Sequence, residues 1–137
     1  PQHVSLLKSE LESNNLSSKK IIILNEIGKN KEFYSLAKAT FMGGSLFAHG
    51  GQNPLEALSC GSYVVTGPHI NNFSSIYKEL ETQKLCGVFK EIDHNLIANS
   101  IEQIMHKKNL LNMNKVEDLF NKKIKKLKKI TFKISND

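Results

Sequence analysis

The sequence predicts an α/β fold, a parallel sheet with helices on both faces. Short, continuous apolar runs recur at Ile21–Leu24, Thr40–Met42, Tyr63–Thr66 and Gly87–Phe89. Runs this short without polar alternation suit strands buried on both sides. Segments with 3.6-residue apolar spacing lie between them, joined by a few residues each. Strict alternation of strand and helix favours right-handed βαβ units and a parallel sheet.

Taken in order, residues 4–13 read as a helix with Leu6, Leu7 and Leu11 on one side, and Asn14–Ser18 as a polar turn. After the strand Ile21–Leu24, Lys31–Ala39 reads as a helix with Phe33, Leu36 and Ala37 inward. Thr40–Met42 is the next strand. Asn53–Cys60 is a helix with Gly61 as its C-cap, followed by the strand Tyr63–Thr66, the helix Phe73–Glu81 and the strand Gly87–Phe89. His94–His106 is a helix with Leu96, Ile97, Ile101, Ile104 and Met105 along one side. The segment 109–137 is helical to about Ile130. The organisation read from this is a ligand-binding domain over 1–108 and a basic C-terminal helix and tail over 109–137.

The formal net charge is +6 over 137 residues. It sits at one end. Residues 107–137 hold ten Lys against Glu117, Asp118 and Asp137, a net +7, whereas residues 1–106 hold nine Lys against ten acids. All 19 basic residues are Lys. A phosphate held here is therefore held by Lys, by backbone N–H groups or by helix ends, never by a bidentate Arg. Cys60 and Cys86 match no metal or redox spacing and read as two buried free thiols. His3, His94 and His106 show no ligand spacing, no D-x-D motif occurs, and no metal site is expected.

In open parallel sheets ligands bind at the carboxyl ends of the strands. The loops Asn25–Lys29, Gly43–Gln52 and Gly67–Asn72 fall there. Gly43–Gly44–Ser45 leaves a strand, Gly50–Gly51 follows, and Gln52–Asn53–Pro54–Leu55–Glu56 opens a helix. Asn53 suits the N-cap, Pro54 the first helical position and Glu56 the third. Free N–H groups at such a start favour an anion. Glu56 has two readings. It accepts hydrogen bonds from the two ribose hydroxyls of a nucleotide, or it closes a capping box on Asn53. Ser45 binds phosphate or sugar, or caps a turn. His69, after Gly67–Pro68, sits near a donor or merely on a tight turn. Gly43 and Gly44 are candidates for close approach to phosphate or sugar.

The string FMGGSLFAHGGQNPLEALSCGSYVVTGPHINNF, residues 41–73, resembles the C-terminal domain of the 3-deoxy-D-manno-octulosonic acid (Kdo) transferases. The shared elements are GGS-L, GG-x-NPLE, GPH and N-F, in that order. The resemblance is close there and looser over 1–40 and 74–106. It implies the C-terminal half of a B-type glycosyltransferase fold, with a Rossmann-like sheet lacking its first strand. It implies inverting transfer of Kdo from CMP-Kdo to a lipid A precursor in lipopolysaccharide synthesis, without a metal or cofactor. The acceptor and the general base belong to an N-terminal domain, so no catalytic residue is expected here and the piece is not expected to catalyse alone. The CMP contacts it implies are Pro1 and Gln2, then Ile27, Gly28 and Lys29, then Asn53, Pro54, Leu55 and Glu56. The implied location is the cytoplasmic face of the inner membrane.

The sequence departs from the family pattern at Gln2, Asn25, Glu26, Lys29 and Gln52. Gln2 stands where the family has a cation, and Lys29 is placed to restore one. Two other readings stay open. One is a B-type domain using a UDP-linked donor. The other is a degenerate, non-enzymatic module with a membrane-binding tail. In that tail Val116, Leu119, Phe120, Ile124, Leu127 and Ile130 form an apolar stripe among the lysines. A basic amphipathic helix lies on an anionic membrane or packs on its own domain with the lysines in water. Without Arg or interleaved aromatics, nucleic acid is not an expected partner.

Overall fold

The computed structural model describes the backbone of residues 28–134 and the side chains of residues 28–129. The expected helix 4–13, the turn Asn14–Ser18 and the strand Ile21–Leu24 lie outside these residues. The described elements are α1 (Asn30–Leu36), β1 (Ala39–Met42), α2 (Leu55–Ser59), β2 (Tyr63–Thr66), a 3₁₀ turn (Asn71–Phe73), α3 (Ser74–Thr82), β3 (Cys86–Val88), α4 (His94–His106) and α5 (Met113–Ile134).

The three strands form one parallel sheet in the order β1-β2-β3. β2 is central and reads YVVT because it is covered on both sides: Val64, Val65 and Thr66 are each no more than 1% exposed. Val64 faces the main core, with Ala57 and Leu58 of α2, Tyr77 and Leu80 of α3, and Leu85 and Cys86. Val65, one residue on, points to the opposite face and is buried there too. Val116 and Leu119 of α5 close the core from outside α2.

Helix boundaries shift where backbone geometry overrides apolar spacing. α1 stops at Leu36 because Ala37 is already extended, at φ −81 and ψ 126. None of its residues is fully buried, so Phe33, Leu36 and Ala37 are only half-buried. α2 is confined to Leu55–Ser59, shorter than the expected Asn53–Cys60. Gly61 ends it at φ +88, with Gly61 N–H donating to Leu58 O (3.0 Å) and Ser62 N–H to Ala57 O (3.1 Å). That double bond is a Schellman closure, and it needs the left-handed region that glycine enters freely. α3 starts after a 3₁₀ turn, and β3 begins one residue before its expected start.

α4 has the expected limits. Asp93 caps it, accepting from Asn95 N–H (2.8 Å) and Leu96 N–H (3.0 Å). Its apolar side is not buried as the spacing predicts: Leu96 is 44% and Met105 50% exposed. α4 touches β1, and Lys38 Nζ donates to Met105 O near its C-terminal end.

Both cysteines are free. Cys86 is buried, and Cys60 is half-buried where the sequence suggested full burial. Burial first, with Glu81 adding and Lys90 opposing, pushes the Cys86 thiol up to about 12. Burial also pushes the Tyr77 phenol up to about 12. Both groups therefore ionise more easily unfolded than folded. Their contribution is complete below about pH 9 and is lost as pH rises towards 12. Urea midpoints should be flat to about pH 9 and fall above it, and Cys86→Ala should lessen that fall.

Candidate functional site

An open cavity of about 490 Å³ lies at the carboxyl end of β1. Phe41, Met42 and Gly43 supply its floor as the strand runs out. Gln52, Asn53 and Glu56, at the start of α2, form one wall. Asn30 and Tyr34, one turn apart on α1, form the other, with Thr40 between. Glu56 is exposed and carries the cavity's charge. The Tyr34 phenol is raised above its usual range by burial first, then by the Glu56 carboxylate and the Cys60 thiol.

The start of α2 bears on the capping reading of Glu56. Asn53 Oδ1 accepts from Leu55 N–H at 3.1 Å. The first helical N–H to find an internal carbonyl is that of Leu58, on Pro54 O at 3.1 Å. Among the described residues, no bond runs from Asn53 N–H to the Glu56 carboxylate, and no side chain caps Pro54. The capping box is not formed, and the carboxylate faces the cavity. Pro54 is fully buried and Leu55 packs against the core, and neither lines the cavity.

The cavity rests on two loops clasped together. Ser45 is 0% exposed. Its hydroxyl donates to Met42 O (2.7 Å) and accepts from Gly67 N–H (2.9 Å). This corrects the expectation that Ser45 meets phosphate or sugar: both bonds are spent inside the fold. His69 N–H donates to Ser45 O (3.0 Å), Gly51 N–H to Gly44 O (3.1 Å) and Asn72 N–H to Gly50 O (3.1 Å). Tyr77 Oη donates to Gln52 O at 3.0 Å from below. Gly50 and Gly51 are required here. Both have positive φ, +93 and +76, and a Cβ would press on the Asn72 side chain and on the His69–Ile70 backbone.

Of the residues singled out in the sequence, the structure brings Gly43, Asn53 and Glu56 together. Gly28, at φ +89, and Lys29 lie just before α1, so Lys29 is the chain neighbour of the cavity residue Asn30. Gly44 and His69 do not line the cavity, and His69 sits half-buried on the adjoining loop. Pro1, Gln2 and Ile27 lie outside the described residues. Asn30 and Tyr34 were not singled out. Their i, i+4 spacing directly after Gly28–Lys29 is the signal that places both on one face of α1.

Chemically, the cavity offers one carboxylate, three amide side chains and an aromatic wall, and it holds no Arg.

Known proteins are similar to this chain. The family described as Glycosyl transferases group 1 matches residues 4–127. A 3-deoxy-D-manno-octulosonic acid transferase of Haemophilus influenzae is 34% identical over 89 residues, 64% of this chain and 20% of that protein. One from Chlamydophila psittaci is 42% identical over 60 residues, 43% of this chain and 14% of that protein. A bifunctional glycosyltransferase/methyltransferase of Fusobacterium nucleatum is 31% identical over 102 residues, 74% of this chain and 16% of that protein. The chain thus spans a fifth or less of the length of these relatives. Among solved structures, the C-terminal CMP-Kdo binding domain of WaaA from Acinetobacter baumannii superposes with a TM-score of 0.59. It is 21% identical and covers 77% of this chain and 60% of that one. The α/β Rossmann-like fold and the resemblance to the Kdo transferases are both borne out. With the family matched from residue 4 to residue 127, around a cavity of this chemistry, the chain belongs to the glycosyl transferases group 1 family.

Proposed function

We propose that this chain is the donor-binding portion of an inverting Kdo transferase, with CMP-Kdo as donor. The observation that carries the reading is the cavity at the carboxyl end of β1. Glu56 is freed there from capping and faces open space, within the segment that resembles the Kdo transferases most closely. Glu56 accepts from the ribose hydroxyls, Tyr34 backs the nucleotide, and the phosphate meets the N–H groups at the start of α2. Lys29, the chain neighbour of the cavity residue Asn30, supplies the positive charge that Gln2 and the missing Arg do not. In the reaction an acceptor hydroxyl attacks the anomeric carbon, the bond from that carbon to the phosphate oxygen breaks, and CMP leaves. The base that takes the hydroxyl proton and the pocket for a lipid A precursor belong to another part of the enzyme. An enzyme of this kind, working on a lipid acceptor, acts at the cytoplasmic face of the inner membrane. Among the described residues, no helix is long and apolar enough to cross a membrane.

Calorimetry with CMP, CMP-Kdo and a panel of UDP-sugars tests the donor. CMP and CMP-Kdo should bind at least tenfold more tightly than any UDP-sugar. A UDP-sugar that binds as well or better replaces this reading with that of a UDP-dependent transferase.

A further inference from the structure

The apolar stripe of α5 divides into two parts. Val116 and Leu119 are 2% exposed and belong to the core, with Phe120 packed beside them. Lys123 Nζ then meets Glu79 of α3 at 2.7 Å and ties the middle of the helix to the body. Beyond it Ile124 is 48% and Leu127 62% exposed. At 100° per residue, Ile124 and Leu127 continue the stripe of Val116 and Phe120. Lys122, Lys125, Lys126, Lys128 and Lys129 fan over the remaining arc, and all five are exposed. Four of them, with Lys123 and Glu79, surround a concavity of about 400 Å³. The helix is thus fixed to the domain by its N-terminal half and presents a basic, partly apolar stretch, Lys122–Lys129, to the outside.

We propose that residues Lys122–Lys129 of α5 form a docking site for an anionic lipid bilayer surface. Charge complementarity selects this occupant. The cationic residues crowd onto one helix, while residues 1–106 carry a net charge of −1, so attraction to an anionic surface orients the molecule through α5. The pairing of exposed lysines with Ile124 and Leu127 on one helix suits an interface that has both headgroup charge and acyl chain to offer. A nucleic acid would use the charge alone, and no aromatic or Arg stands among these lysines to stack on bases. This site is separate from the donor cavity and does not depend on the donor's identity.

The 137-residue chain is sedimented with phosphatidylcholine vesicles, and with vesicles in which about a third of the lipid is phosphatidylglycerol. The anionic vesicles should bind at least tenfold more chain. Lys125→Glu/Lys126→Glu/Lys129→Glu should lower that binding about 100-fold, since each lysine near such a surface contributes roughly fivefold. Ile124→Asn leaves the charge intact and should lower it several-fold. Both variants should keep native helicity and unchanged binding in the donor cavity. Equal binding to both vesicles, or no effect of the triple reversal, overturns the proposal. So does an Ile124→Asn variant that binds as wild type while duplex DNA competes fully, because the site would then read charge alone.

Discussion

Gly67→Ala should unfold the platform under the cavity, with a loss of about 2–4 kcal/mol. A Cβ on Gly67 would stand 2.5 Å from Ser45 O and 2.9 Å from Ser45 C, with Leu46 Cδ2 at 3.1 Å. The first two are backbone atoms, which cannot rotate away. If Ser45 retreats, it breaks the bond from His69 N–H to its carbonyl and the bond from Gly67 N–H to its hydroxyl. Both groups lie where water cannot replace the lost partner, so the cost of unpaired polar atoms adds to the overlap. In a chain of this size that is a fall of about 10 °C in melting temperature. Gly43→Ala is the matching control. A Cβ on Gly43 would have nothing within 4 Å, so stability should change by less than about 0.5 kcal/mol. Gly43 does line the cavity, so the same methyl should weaken nucleotide binding. Thermal melts of the two variants separate a glycine that holds the fold from one that leaves room for a ligand.

Glu56→Gln should weaken CMP binding by roughly 30-fold while leaving the melting temperature within about 2 °C. The side chain is exposed and caps nothing, so the fold does not need its charge. A carboxylate accepts from two neighbouring hydroxyls at once, and an amide offers one oxygen and a donor that faces the second hydroxyl wrongly. The loss is therefore close to one charged hydrogen bond, about 2 kcal/mol. A double-mutant cycle isolates it. 2′-Deoxy-CMP should bind wild type weakly, and Glu56→Gln should then cost it far less than it costs CMP. The Tyr34 phenol reports the change independently. The Glu56 charge is the second cause of its upward shift, after burial, so in Glu56→Gln the phenol should ionise at lower pH, seen by ultraviolet titration.

Much of the architecture could be read from residue patterns because it rests on local rules. YVVT read as a strand buried on both faces, and the apolar spacing of α4 placed both its ends. Gly61 announced the end of α2. What could not be read depends on contacts between distant parts of the chain. Ser45 looks like a ligand residue in a glycine-rich loop. Only the approach of Gly67, 22 residues on, turns its hydroxyl into a clasp. Glu56 looks equally like a cap or a ligand. The cap is ruled out only by the short start of α2, where Asn53 bonds Leu55 and Glu56 lines the cavity instead. The stripe of α4 reads as a buried face and that of α5 as packed or membrane-facing, yet Leu96, Met105, Ile124 and Leu127 are exposed, and periodicity carries no information on where packing stops.

The central claim is that the cavity between α1, the end of β1 and the start of α2 holds the nucleotide. An amide chemical-shift titration of the 137-residue chain with CMP addresses it residue by residue. The expected result is a set of saturable shifts at Asn30, Tyr34, Gly43, Gln52, Asn53 and Glu56, reduced in Glu56→Gln. Shifts along Lys122–Lys129 with those six amides silent would contradict it, because CMP would then be bound as a simple anion on the basic helix.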